Sequence, residues 1–219
     1  PHTAVFFLTI PTQKALLSGL VGSDMCIRDS SGDTTLLTTR VLPFCASIVR
    51  FYDTRYKRNR TSGQLYISPA QALETYWECD DPVPEVAALH RILDALNALP
   101  STYTTIEQRQ LFERISKSLP SIQFLTKANA TTVISPCRPG GLTNFSKVKN
   151  HEEPQLYPVW PYAFFSGRNG GKWQDVNIGR STFDHRRYPS NRDWGYDGPV
   201  SATLGLAEKA YECVSERYS

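Results

Sequence analysis

The chain has 219 residues, 21% of them charged and 11% aromatic, with a formal net charge of +3 at pH 7. That composition suits a folded chain rather than a disordered one, and the small charge gives no ground for a nucleic-acid or membrane partner. No apolar run approaches the ~20 residues that cross a bilayer.

In chain order, the first feature is Leu20 to Ser30, "LVGSDMCIRDS", which lacks any apolar period. It matches the translation of a transposase-library sequencing adapter at every position except Asp24. Residues 1–30 are therefore set aside as an artefact or foreign segment, and 31–219 are treated as the protein proper. From Asp33 to about Tyr56, Leu36, Leu37, Val41, Phe44, Ile48, Val49, Phe51 and Tyr52 recur at three and four. The spacing predicts an amphipathic helix, with Pro43 able to kink it. The basic run "RYKRNR" follows, then a proline-bounded loop with one short strand at Gln64–Ile67.

Pro84, with acids before and after it, marks the start of a helix whose apolar positions Val86, Leu89, Ile92, Leu93 and Leu96 stop at Pro100. A further helix is expected over Thr105–Leu119, capped by Thr104 or Thr105 and closed by Pro120. Residues 120–175 have little periodicity but many rings and prolines, and a loop of that length is functional or disordered. Its aromatic content argues against disorder. Two last helices are expected at about Gln174–Arg187 and Pro199–Arg217. Helices in hairpin-like succession with long decorated loops predict an all-α fold.

With Cys26 set aside, four cysteines remain (Cys45, Cys79, Cys137 and Cys213), with no C-x-x-C pair to suggest zinc or a thioredoxin-like centre. No metal and no cofactor are expected. Sequons at Asn59, Asn129 and Asn144 lean toward a secreted protein.

Two loops combine carboxylates with rings. "SPAQALETYWE" puts Glu74 beside Tyr76 and Trp77, and "NHEEPQLYPVWPY" puts Glu152 and Glu153 ahead of Tyr157 and Trp160. Carboxyls supply the acid and base of glycoside hydrolysis, and aromatic faces suit the C–H face of a sugar ring. Each residue also has an ordinary use, capping or ion pairing for the acids and packing for the rings. Elsewhere, "SGRNGGK" (166–172) lacks the spacing of a phosphate loop. "RYKRNR" reads as a solvated helix end, and His90 as a structural residue within an apolar pattern. His151 and His185 pair with no nucleophile at a recognisable spacing.

Four segments, in order, carry a resemblance: "ISPAQALETYW", "VPEVAALHRILDAL", "EEPQLYPVWPYAFFSG" and "STFDHRRYPSNRDWGYDGPVSATLGLAEKA". Together they resemble the catalytic domain of the six-hairpin glycosidases, near the α-L-fucosidase group of glycoside hydrolase family 95. The resemblance implies a partial (α/α)6 toroid and an oligosaccharide or polysaccharide substrate, hydrolysed with inversion. It implies Glu74 as general acid, Tyr76 and Trp77 at the border of the sugar subsite, and Glu152, Tyr157 and Trp160 at the cleft mouth. Glu153 and Gln155 depart from the family's Asn and Glu, and "RDWGYDG" has its Trp before the Gly. The family's general base would lie beyond Ser219, which implies a truncated chain, inactive alone. The alternative is a non-catalytic carbohydrate-binding or interaction domain on the same scaffold.

Overall fold

The computed structural model describes residues 34–145, 147–166, 173–190 and 195–218. The adapter-like segment, most of the "SGRNGGK" run and part of "RDWGYDG" lie outside the described residues. The fold is mixed α/β, with three two-stranded antiparallel sheets among its helices. This corrects the all-α toroid expected from the sequence. The reason is length: strands of two to four residues are too short to show a period-two pattern, so their residues read as loop. Two compact units form, residues 34–67 with 88–121, and residues 68–87 with 122–218.

The first unit begins with a single α-turn, Thr34–Leu36, and a π-helical turn, Leu37–Val41, leading into helix α1, Leu42–Arg55. The wider turn falls where Pro43 would crowd the carbonyl four residues before it. The Leu42 amide reaches instead to the Leu37 carbonyl. The expected kink is thus a change of helical register. Strand β1, Lys57–Arg58, pairs with β2, Leu65–Tyr66, so part of the basic run is strand rather than helix end. Helix α2, Val83–Asn97, contributes its residues from Ala88 onward to this unit and buries Leu89, Ile92, Leu93 and Leu96 on one face. Helix α3, Ile106–Ser118, packs on α1. It opens with a capping box: the Gln108 amide donates to Thr105 Oγ1 at 3.2 Å and the Thr105 amide to Gln108 Oε1 at 2.9 Å. Asp53 accepts from Arg58 at 2.5 Å and Arg114 at 2.6 Å, joining β1, α1 and α3.

In the second unit, strands β3, Ala70–Ala72, and β4, Tyr76–Cys79, form one hairpin, and β5, Phe124–Thr126, and β6, Thr132–Ile134, another. A 3-10 turn, Pro154–Leu156, precedes α4, Trp173–Asp184, α5, Asp197–Thr203, and α6, Ala207–Tyr218. The expected Pro199–Arg217 helix is therefore two helices, broken where Gly205 takes a φ of +72°. Arg180 donates to the Leu204 carbonyl through Nε at 3.1 Å and Nη2 at 2.9 Å, satisfying the end of α5. One core gathers Val83, Ile134, Leu156, Val159, Phe183 and Val200; a smaller one gathers Ala72, Tyr76, Cys79 and Cys137.

Candidate functional site

The site is built on the β3–β4 turn. Leu73 takes a φ of 51°, a left-handed conformation that a branched side chain adopts at a cost, and Glu74 follows it in an exposed position. Three bonds lace this turn to the 149–152 segment. The Glu74 amide donates to Glu152 Oε2 at 3.0 Å, Thr75 Oγ1 donates to the Glu152 carbonyl at 3.2 Å, and the Lys149 amide donates to the Thr75 carbonyl at 3.1 Å. Asn150 Nδ2 then donates to Glu74 Oε2 at 3.3 Å. Two stretches more than seventy residues apart are thus held as one edge.

Against this edge lies an open cleft of about 460 Å³, lined by Gln71, Leu73, Glu74, Glu85, Asn150 and Glu152. Glu85 enters it from the first turn of α2. Its Oε2 is sealed from water and has no hydrogen-bond partner among the described residues. Burial pushes the Glu85 carboxyl up to about 8, against the pull of its own backbone amide, so it carries its proton at neutral pH. Burial also raises Glu152; the bond from the Glu74 amide opposes that rise and the Glu74 charge adds to it.

A narrow notch of about 20 Å³ shares Leu73 and Glu152 with the cleft and is walled by Tyr157, Trp160 and Tyr196. The Tyr196 ring meets Trp160 at 5.2 Å and Tyr157 edge-on at 6.5 Å. His151 stacks on Tyr188 at 4.3 Å at the same place.

Of the residues expected in the site, Glu74 and Glu152 come together in the cleft, and Tyr157 and Trp160 line the adjoining notch. Tyr76 and Trp77 line neither. Consecutive strand residues face opposite sides of a sheet, so Tyr76 turns into the small core against Phe145 at 5.5 Å. Trp77 turns to solvent, 57% exposed, with Lys149 Nζ 5.4 Å from its ring. Glu153 and Gln155, two of the three departures from the resemblance, bond to each other, and the Tyr188 amide also donates to Glu153. His90 Nε2 donates to the Pro120 carbonyl at 2.9 Å, the structural use expected of it.

Sequence reasoning missed Glu85 and Asn150. Glu85 looks like an ordinary helix-start acid after Pro84, and Asn150 differs from a loop residue only by preceding His151 and the glutamate pair. Among the described residues no cluster of His, Cys, Asp or Glu could hold a metal ion, and no helix is long and apolar enough to cross a membrane. No protein family, curated protein or solved structure matches the chain.

Proposed function

We propose that this cleft binds a carbohydrate and hydrolyses a glycosidic bond in it. The observation that carries the reading is Glu85, a carboxyl that keeps its proton at neutral pH, lining the same open cleft as the exposed Glu74. Glycoside hydrolysis needs that asymmetry. One carboxyl protonates the leaving oxygen, and a second takes a proton from the attacking water or attacks the sugar itself. Glu85 serves as proton donor and Glu74 as the acceptor, with Asn150 orienting Glu74. The rings of Tyr157, Trp160 and Tyr196 offer an apolar wall beside the cleft for the face of a sugar. In this reading the cleft supplies both carboxyls itself, in place of the arrangement the resemblance implies, with Glu74 as acid and a base beyond Ser219.

A panel of nitrophenyl glycosides, the α-L-fucoside among them, tests it. One sugar is expected to be turned over, with Glu74→Gln and Glu85→Gln each lowering kcat by about 10²-fold or more. Undiminished rates in both variants overturn the assignment. The second reading, carbohydrate binding without chemistry, is favoured by the engagement of Glu74 and Glu152 in bonds that hold the cleft edge still. Saturable binding of an oligosaccharide with no turnover of any glycoside selects it.

A further inference from the structure

Outside the cleft, the smaller core of the second unit holds two thiols that its chemistry does not use. Cys79 ends β4 and Cys137 follows β6; they are 0% and 1% exposed and pack in one cluster. The backbone around them is already paired. The Arg138 amide donates to the Asp80 carbonyl at 2.8 Å and the Val83 amide to the Pro136 carbonyl at 2.9 Å. Arg138 Nε also donates to Asp81 Oδ2 at 2.8 Å. Asp80 and Arg138, each next to one of the cysteines, are thus bonded to each other, so the two segments run side by side where the cysteines pack. A disulfide needs that arrangement, because it spans Cα atoms only about 4.4–6.8 Å apart.

We propose that Cys79 and Cys137 are a disulfide pair, formed by exchange with a small-molecule disulfide such as oxidised glutathione while the chain folds. One cysteine thiolate attacks the glutathione disulfide and releases one glutathione thiol. The second thiolate then attacks the mixed disulfide on the protein sulfur and releases the other. Two protein thiols become one disulfide, oxidised glutathione becomes two reduced molecules, and the two protons end on the released thiols. Once folded, the thiols are out of reach, and the neighbouring Cys137 thiol, with burial, holds Cys79 in its protonated, unreactive form. The pair therefore closes during folding. The sequon asparagines Asn59, Asn129 and Asn144 are all exposed, which fits the same oxidising surroundings. The bridge would fasten the hairpin bearing Glu74 to the segment after β6, independently of what the cleft binds.

The test is to refold the whole chain in a reduced and oxidised glutathione mixture, alkylate the remaining thiols, and map peptides without reduction. The expected result is one crosslinked peptide pair joining Cys79 to Cys137, lighter by two hydrogens than the reduced pair. A reductant should then lower the Tm of the wild-type chain and leave that of a Cys79→Ser, Cys137→Ser double variant unmoved. Full alkylation of Cys79 and Cys137, or a bridge that uses Cys45 or Cys213 in place of either, overturns the proposal. The mapping uses the wild-type chain alone, so a variant that fails to fold does not decide the outcome.

Discussion

At Glu85 two influences oppose each other. The first turn of α2 offers amide groups that favour a charged carboxyl, yet burial of Oε2 without a partner penalises the charge more. A folded value of about 8 against an ordinary 4.5 means that the native chain holds a proton which the unfolded chain has released. Stability therefore falls as pH rises from about 4.5 to about 8, and on the order of 3 kcal/mol has been lost by pH 7. Glu85→Gln keeps the shape and removes the titration. Urea unfolding should show the variant more stable than wild type at pH 7 by about that amount, and nearly equal to it near pH 4.5. A constant difference at both pH values would mean that Glu85 does not hold a proton in the folded chain. If the cleft is catalytic, the same variant gains stability and loses turnover, the usual exchange at a strained functional group. Glu74 and Glu152 stood out in the sequence as carboxyls close to rings, and the structure brings both to the cleft. Glu85 did not stand out, because a sequence shows the identity of an acid and hides how much water it keeps. Tyr76 and Trp77 were misplaced for a related reason: without the strand, nothing says that neighbours point opposite ways.

At the scale of elements, the helices were legible where punctuation and period agree. Thr105 before Gln108 and Pro120 after α3 bracket a helix found at Ile106–Ser118. The strands were illegible because β1 to β6 are fixed by pairing across the hairpins rather than by any pattern within two to four residues. The last helix was misjudged at Gly205, since a glycine inside an apolar period is compatible with either a continuous helix or a stop. Its φ of +72° decides for the stop, and a Cβ there would lie in ordinary contact, 3.5 Å from Arg180 Nη2. Space is therefore not the obstacle; backbone conformation is. Gly205→Ala should cost about 1–2 kcal/mol in urea unfolding, and Gly205→Asn distinctly less, because Asn tolerates the left-handed region. Equal costs for the two would show that Gly205 is kept for packing instead.

Across the whole molecule, the titrating groups place the pH of greatest stability. In the first unit, burial raises Asp94 against the pull of Arg91. In the second, burial raises Glu152, Glu153 and Asp197, in the last case despite the Arg186 ion pair at 3.1 Å. Each of these carboxyls holds its proton longer in the native chain, so each subtracts stability as pH rises above the ordinary carboxylate range. Asp53 runs the other way. Burial would raise it, but the hydrogen bonds and charges of Arg58 and Arg114 outweigh that and lower it, so its contribution is complete above about pH 4 and is lost in stronger acid. The opposing slopes meet in mildly acidic solution. The Tm of the intact chain should peak at about pH 4–4.5 and decline toward pH 8, and the decline should be shallower in Glu85→Gln. A Tm that climbs steadily from pH 5 to pH 8 would contradict the buried carboxyls of the second unit together. The same window keeps Glu85 protonated, so a cleft that depends on its proton would work in the range where the fold around it is firmest.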